Sequence, residues 1–177
     1  MRILITGASG YFGKLLAQAL RSLEGNTEVI GIDVREQERS VGDEMKFLSG
    51  DTRKKRIEDV FKTEGQIDVV IHLARDASPN RSSNDSMMTN VYGTFHMLEL
   101  ARKYGVKKFI FPSSSIVYGA HNDNPALIRE DHPLLGNRDI VTIRDRVEAD
   151  MICQTHANSS DDLSIVILRI VPIWRSA

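Results

Sequence analysis

The stretch ITGASGYFG (residues 5–13) closes a short apolar run and opens an amphipathic segment. Gly7, Gly10 and Gly13 have the spacing GxxGxxG, at the point where a predicted strand gives way to a predicted helix. Glycines here let the chain turn tightly and let a pyrophosphate approach the amides at the helix N-terminus. Asp33 ends the next predicted strand, twenty residues after Gly13, where a carboxylate accepts hydrogen bonds from both ribose hydroxyls. This context favours a dinucleotide-binding turn over a turn in which the glycines serve only the backbone.

Short apolar segments alternate with longer segments of helical periodicity along the chain. The predicted strands cover residues 2–6, 28–33, 46–50, 68–74, 107–114 and 164–171. Their almost continuous hydrophobicity is typical of strands that are covered on both faces. The pattern therefore predicts an α/β fold with a doubly wound parallel sheet, a Rossmann fold of strand order 3-2-1-4-5-6, as a single domain over residues 1–177.

Three long helices are predicted between these strands. One begins at the glycines, and the others cover residues 85–104, ending before Gly105, and residues 138–156. The apolar periodicity predicts these inward-facing residues: Leu15, Leu16, Ala19, Leu20 and Leu23; Met88, Val91, Phe95 and Leu98; Ile140, Ile143, Val147 and Met151. A polar loop over residues 119–139 precedes the last helix, and loops of this length are often functional.

Composition restricts the possible partners. The 177 residues carry a formal net charge of −1, which gives no basic face for nucleic acid or an anionic membrane surface. Cys153 is the only cysteine, so neither a disulfide framework nor a thiolate metal site is expected. No apolar run approaches the roughly 18 residues of a membrane span. We therefore expect a cytoplasmic protein with a small-molecule partner and no metal.

Seven segments stand in the same order as in a known family: ILITGASGYFG, GIDVR, GDTRK, VVIHLA, TNVYGT, FIFPSSSIVYG and VILRIV. Together they resemble the extended short-chain dehydrogenase/reductase family, the NAD-dependent nucleotide-sugar epimerases and dehydratases. The resemblance covers nearly the whole chain. It implies NAD as the cofactor and a nucleotide sugar as the substrate class.

The resemblance also implies which residues bind NAD. They are Gly7, Ser9, Gly10, Tyr11, Phe12, Gly13, Asp33, Val34, Arg35, Asp51, Thr52, Leu73, Ala74 and Arg75. Asp33 corresponds to the ribose ligand and favours NAD over NADP, because a carboxylate repels a 2′-phosphate, whereas Arg35 weakens that preference. Arg75 stands where the family usually has a small residue. It either crowds the pocket or reaches a phosphate.

The catalytic residues that the resemblance implies are only partly present. Asn90 matches the helix asparagine that holds a water in a proton relay, with a bond to its own helix backbone as the alternative. Ser114 matches the residue that binds the reacting hydroxyl or carbonyl. The family's acid/base tyrosine and its activating lysine are replaced by Thr142 and Arg146, and no tyrosine follows Tyr118. An aliphatic hydroxyl is far less acidic than a phenol, and arginine does not shuttle protons.

Substitutes for the missing pair are scarce. His121, Asp131 and His132 lie in the polar loop and are candidates for a nonstandard acid or base, although loop residues of these types are usually only solvated. Tyr118 matches a structural position in the family, so we expect it to pack.

The chain stops at PIWRSA, shortly after VILRIV, where family members continue into the segments that build the sugar-nucleotide pocket. We therefore expect the substrate-binding C-terminal part to be missing. An apolar edge at the last strand and the family's habit of dimerising predict a homodimer. Three hypotheses remain: an enzyme of the epimerase/dehydratase type with weak or no standard activity, a catalytically silent NAD-sensing module, and a fragment of a larger epimerase.

Overall fold

The computed structural model describes residues 1–22, 26–35, 45–76, 82–159 and 162–171. A six-stranded parallel sheet has the order β3-β2-β1-β4-β5-β6. Its strands are β1 Arg2–Thr6, β2 Glu28–Asp33, β3 Lys46–Ser49, β4 Val69–His72, β5 Lys108–Ser114 and β6 Ser164–Ile170. The order reverses between β1 and β4, which confirms the predicted doubly wound fold. All six predicted strands are confirmed, with differences of at most two residues at their ends.

The helices are α1 Tyr11–Arg21, α2 Glu58–Thr63, α3 Ser83–Met87, α4 Gly93–Lys103 and α5 Val141–Ser159. The segment predicted as one helix over residues 85–104 consists of α3, a π-helical turn over Met88–Tyr92, and α4. The short α2, preceded by a 3-10 turn over Lys55–Ile57, was not predicted. In the residues described, no helix combines the length and apolar character that crossing a bilayer requires.

The core lies on both faces of the sheet because successive strand residues point to opposite sides. Ile3 and Ile5 of β1 pack on the face covered by Ala17 of α1. Leu4 of β1 packs on the other face with Met97 of α4. The same second face is covered by Phe61 of α2 and by Ala149 and Cys153 of α5.

Several predicted helix faces are wrong, because helices approach the sheet through small residues. The buried residues of α1 are Gly13 and Ala17, and those of α4 include Gly93 and Ala101. Leu16, Leu20, Leu98, Ile143 and Val147 pack inward as predicted. Predicted inward residues that are exposed instead are Leu15, Ala19, Met88, Phe95, Ile140 and Met151. Leu23 lies outside the described residues.

The strand order gathers the candidate functional residues at one edge of the sheet. The glycine turn follows β1, Asp33 ends β2, Leu73 follows β4 and Ser114 ends β5. All strands are parallel, so these carboxyl ends meet on the same side. This edge is where open α/β sheets bind ligands.

Candidate cofactor and active site

The backbone requires glycine to different degrees at the three positions of the turn after β1. Gly7 has φ +71°, and a Cβ there would lie 2.7 Å from the backbone N of Ala74. A Cβ on Gly13 would lie 2.5 Å from the carbonyl oxygen of Ala8. Gly10 has φ −73°, and its Cβ would lie 3.1 Å from the Gly7 oxygen, a contact that a small shift relieves. The backbone of this chain therefore requires Gly7 and Gly13, whereas its demand on Gly10 is weak.

The N-terminus of α1 follows the glycine turn and has no side-chain cap. Gly10 occupies the N-cap position without a capping hydrogen bond, and the first turn contains no acidic residue. An uncapped N-terminus favours an anion through its N–H groups and the helix dipole. Tyr11 and Phe12 are exposed there, with ring centroids 5.5 Å apart.

Asp33 and the glycine turn form one hydrogen-bonded unit. Asp33 Oδ2 accepts a hydrogen bond from Ser9 N at 3.0 Å, and Oδ1 accepts one from Arg35 N at 3.0 Å. The Arg35 guanidinium also lies 3.4 Å from each carboxylate oxygen, and its side chain is 65% exposed. Val34 is exposed beside it. The backbone bonds fix the carboxylate, while the long guanidinium contacts leave Arg35 free to move away.

The chain after β3 carries a second carboxylate. Arg53 binds Asp51 through Nε at 2.9 Å and through Nη2 at 2.7 Å, and these hydrogen bonds hold the pKa of Asp51 below its usual value. Thr52 is buried, and its carbonyl oxygen accepts a hydrogen bond from His96 Nδ1 at 2.7 Å. A Cβ on Gly93 would lie 2.9 Å from Thr52 Oγ1, so α4 passes close to this segment.

The segment after β4 is attached to β1. Leu73 N donates to Thr6 O at 3.0 Å, and Ala74 N donates to Thr6 Oγ1 at 3.2 Å. Arg75 follows, is exposed, and makes no ion pair or hydrogen bond within the described part of the chain.

Asn90 lies in the π-helical turn and clamps the backbone of Asp76. Its Oδ1 accepts from Asp76 N at 2.8 Å, and its Nδ2 donates to Asp76 O at 3.0 Å and to Ser86 Oγ at 3.1 Å. The amide therefore does not bond the backbone of its own helix, and that alternative is wrong. Its side chain reaches the segment that follows β4.

His72, at the end of β4, was not singled out from the sequence. Thr94 Oγ1 donates to Asn90 O at 2.7 Å, so it accepts from His72 Nε2, 3.2 Å away. This leaves His72 Nδ1 to accept from Thr6 Oγ1 at 2.7 Å. Burial lowers the pKa of His72 to about 4, consistent with a neutral ring in this chain of bonds.

Ser114 lies at the sheet edge as the N-cap of the 3-10 turn Ser115–Tyr118, where its Oγ accepts from Ile116 N at 3.5 Å. Thr142 is exposed on α5 and Arg146 is half-buried. Neither makes a hydrogen bond or an ion pair in the part of the chain that the structure describes. Ser114 thus has a defined place at the sheet edge, but no hydrogen bond links its side chain to Thr142 or Arg146.

Two fully buried carboxylates on α5 were missed. Asp145 Oδ2 accepts from Ser86 Oγ at 2.6 Å, and Asp150 Oδ2 accepts from Ser113 Oγ at 2.6 Å. Burial opposes the charge on Asp150, but hydrogen bonds, that of Arg169 first among them, place its pKa below the usual value. Sequence reasoning treats aspartate as solvent-facing. Their spacing of five residues does not place them on one face of a helix, so periodicity gave no signal for their burial.

Arg169 connects β6 to the turn and loop after β5. It binds Asp150 at 2.9 Å and donates to Tyr118 OH at 2.7 Å and to Glu130 O at 2.6 Å. Tyr118 is 7% exposed, in line with the expectation that it packs.

The other loop candidates are dispersed. His121 Nε2 bonds Leu135 O at 2.9 Å, the His132 ring centroid lies 5.9 Å from that of Tyr118, and Asp131 forms an exposed ion pair with Arg129. None of the three makes a hydrogen bond to Ser114. Among the residues described, no group of three or more His, Cys, Asp and Glu side chains is arranged for a metal ion.

The model of the NAD dependent epimerase/dehydratase family matches residues 3–173. The chain belongs to this family. It is 32% identical to the UDP-glucose 4-epimerase of Bacillus subtilis over an alignment of 146 residues that covers 76% of this chain and 42% of that protein. It is 31% identical to the putative UDP-glucose 4-epimerase of Methanocaldococcus jannaschii, over 75% of this chain and 44% of that protein. The chain thus spans less than half the length of these curated relatives.

Solved structures of the family have the same architecture. The UDP-glucose 4-epimerase of Thermus thermophilus, solved in complex with NAD, superposes with a TM-score of 0.78 and 28% identity. The match covers 96% of this chain and 54% of that chain. The six-stranded sheet is therefore the fold of these epimerase structures.

Proposed function

We propose that this chain binds NAD across the carboxyl edge of β1, β2 and β4. The observation that carries the proposal is the hydrogen bond of 3.0 Å from Ser9 N in the glycine turn to the carboxylate of Asp33. The glycine turn leads directly into the uncapped N-terminus of α1. A pyrophosphate suits the helix end, and a ribose suits the carboxylate. Gly10 supports this, because a Cβ there would meet no protein atom closer than the Gly7 oxygen at 3.1 Å, so the fold demands a glycine less strongly than at Gly7 or Gly13.

The residues present fit the cofactor. The turn from Gly7 to Gly13, with Tyr11 and Phe12, would hold the pyrophosphate, and Asp33 with Val34 and Arg35 the adenosine ribose. Asp51 and Thr52 would meet the adenine, and Leu73, Ala74 and Arg75 the nicotinamide half. Arg35 would leave its 3.4 Å contacts with Asp33 when ribose hydroxyls replace them. Bound NAD supplies hydride transfer.

We propose a nucleotide-sugar substrate class with weak or no standard activity. Hydride transfer to or from a carbon that bears oxygen also needs a proton to move at that oxygen, and a positioned acid or base contributes about 10²–10⁴-fold. Ser114 can donate a hydrogen bond to such an oxygen. Thr142 and Arg146 offer no group that exchanges a proton near neutral pH.

Two alternatives remain. The glycine turn with Asp33, together with Thr142 and Arg146 in place of the acid/base pair, favours a catalytically silent NAD-sensing module. NAD bound to such a module would regulate an interaction. The short coverage of the relatives favours a fragment of a larger epimerase. The full-length genomic reading frame separates the fragment from the module.

We also propose a cytoplasmic homodimer. Met88, Tyr92 and Phe95 are exposed on the outer side of the π-turn and α4, with Met151 exposed on α5. Exposed apolar residues on these helices suit a symmetric contact. Light scattering at micromolar concentration should give twice the 19.9 kDa mass of this chain, and the monomer mass would refute the dimer.

Calorimetry with NAD and NADP tests the cofactor. We expect NAD to bind about tenfold more tightly than NADP, the equivalent of one charge interaction at the surface. Asp33→Asn should reduce the preference for NAD over NADP, because it removes a negative charge beside the 2′ position. Arg35→Ala should increase this preference, because it removes a positive charge there. Failure of the unaltered protein to bind either dinucleotide would refute the proposal.

A further inference from the structure

A chain of hydrogen bonds joins α5 to the segment after β4. Asp145 on α5 binds Ser86 on α3 at 2.6 Å. Ser86 binds Asn90 at 3.1 Å, and Asn90 holds both backbone groups of Asp76, at 2.8 and 3.0 Å. Ser86 and Asp145 are almost wholly shielded from solvent, at 6% and 0% exposure. Neither residue has a role in the function proposed above.

The carboxylate of Asp145 sets the direction of its bond with Ser86, and the backbone groups of Asp76 set the direction of their bonds with Asn90. A carboxylate only accepts hydrogen bonds, so Ser86 gives its single proton to Asp145. Ser86 Oγ then accepts from Asn90 Nδ2, which fixes the side-chain amide with its oxygen towards Asp76 N. Arg144 Nη2 lies 2.8 Å from the other oxygen of Asp145 and forms an ion pair with it.

The anchored segment has little freedom at the glycine turn. The ideal Cβ position of Gly7 lies 2.7 Å from both Ala74 N and the carbonyl carbon of Leu73, so the two backbones are in close contact. Thr6 holds the beginning of the segment, and Asn90 holds its end. A shift at Asp76 therefore changes the placement of Leu73 to Arg75, where the nicotinamide half of the proposed cofactor would lie.

We propose that Ser86 and Asp145 are positioning residues for the NAD site: together they set the amide of Asn90 and, through it, the backbone that lines the site. This inference rests on the proposed NAD binding. In this role α5 positions the segment after β4 through Asp145, independently of Thr142 and Arg146.

The same helix provides a matched control. Ser113 also binds a fully buried carboxylate of α5, Asp150, at 2.6 Å, and Ser113 is 4% exposed. That pair is directed towards Arg169 of β6 and makes no bond to the segment after β4. Ser86→Ala and Ser113→Ala therefore remove the same group from similar surroundings.

The experiment measures NAD affinity by calorimetry and amide hydrogen exchange by NMR in both variants. Ser86→Ala should weaken NAD binding about tenfold, which is about 1.4 kcal/mol, and speed exchange of the Asp76 amide. Ser113→Ala should keep NAD affinity within about twofold of the unaltered protein. Ser86→Thr, which retains the hydroxyl, should restore tighter binding than Ser86→Ala.

Asp145→Asn is the second variant, and it keeps the side-chain size if Ser86→Ala does not fold. It should also weaken NAD binding, because an amide no longer dictates the direction of the Ser86 proton. Unchanged affinity in both Ser86→Ala and Asp145→Asn would overturn the inference, as would equal losses in Ser86→Ala and Ser113→Ala. Absence of NAD binding by the unaltered protein would refute the proposed function instead.

Discussion

The first half of the sheet and the second half differ in what their distinctive residues do. In β1 to β3, Gly7, Gly13 and Asp33 are each in contact with the protein's own backbone. In β4 to β6 and α5, the framework is equally well bonded, but Thr142 and Arg146 make no hydrogen bond or ion pair in the described residues. The side chains of Thr142 and Arg146 are thus held by fewer polar contacts than Asp33 beside the glycine turn.

The glycines of the turn after β1 differ in whether they inform on the fold or on ligand binding. Gly7 and Gly13 would be needed for the turn even without a cofactor, because a Cβ at either position meets backbone atoms. Gly10 is more informative about ligand binding, because a Cβ there would meet only the Gly7 oxygen at 3.1 Å and the Arg35 guanidinium at 3.7 Å.

The largest loss of stability is expected for a substitution within the glycine turn. Gly13→Ala should destabilise the protein by about 3 kcal/mol or more, because its Cβ would overlap the carbonyl of Ala8. Gly10→Ala should cost less than about 1 kcal/mol. Urea unfolding followed by circular dichroism measures both. Equal losses would show that Gly10 is also required by the backbone.

In the second half, Arg169→Met should cost about 3 kcal/mol, because it leaves Asp150 buried without its ion partner. Protease cleavage within the loop over residues 119–139 should also accelerate, since Arg169 no longer holds Glu130 O. Arg138→Met removes an exposed ion pair with Glu148 and should cost less than about 1 kcal/mol. A loss for Arg169→Met as small as that of Arg138→Met would contradict the prediction.

His72 connects the two halves and predicts a pH dependence. The unfolded chain protonates His72 below about pH 6.5, whereas the folded protein keeps it neutral to about pH 4. Stability from this residue is therefore complete above pH 6.5 and falls as the pH drops towards 4, with a loss of about 2 kcal/mol at pH 5. Urea unfolding at several pH values measures it. His72→Gln should flatten this slope, and an unchanged slope would assign it to other groups.

The smallest effect on stability is expected on α5. Thr142→Tyr with Arg146→Lys should change the free energy of unfolding by less than about 0.5 kcal/mol, because Thr142 is exposed and Arg146 is unpaired. The unaltered protein should show no NAD-dependent conversion of nucleotide sugars when substrate and product sugars are separated by chromatography, because an epimerase returns its hydride to the sugar and leaves the nicotinamide absorbance unchanged.

Two results would change the assignment of the active site. Turnover that survives Ser114→Ala would place the site elsewhere. Turnover lost in Ser114→Ala and also in a His121 or His132 variant would establish a nonstandard enzyme.

The strands and the glycine turn could be predicted because their signals are local. Continuous apolar runs such as residues 107–114 are read directly, and the spacing of Gly7, Gly10 and Gly13 needs no distant partner. The buried faces of the helices were harder. Small residues such as Ala17 and Gly93 set how closely a helix approaches, and they give almost no hydrophobic signal.

The polar network could not be predicted for a similar reason. The partner of Asp145 lies 59 residues away at Ser86, and the partner of Asn90 lies at Asp76 in another segment. A sequence indicates that such residues are polar, but not which of them meet. Only the packing of α5 against the α3 segment makes these contacts.

The helical segment around the π-turn touches the chain at two separate places. Gly93 and His96 contact Thr52 after β3, and Asn90 holds Asp76 after β4. The distance between the contacts with Thr52 and with Asp76 is therefore set by the single helical turn that joins Asn90 to Gly93. Inserting one residue between Asn90 and Gly93 would rotate Asn90 about the helix axis, so that Asn90 could not hold Asp76 while Gly93 and His96 keep their contacts with Thr52.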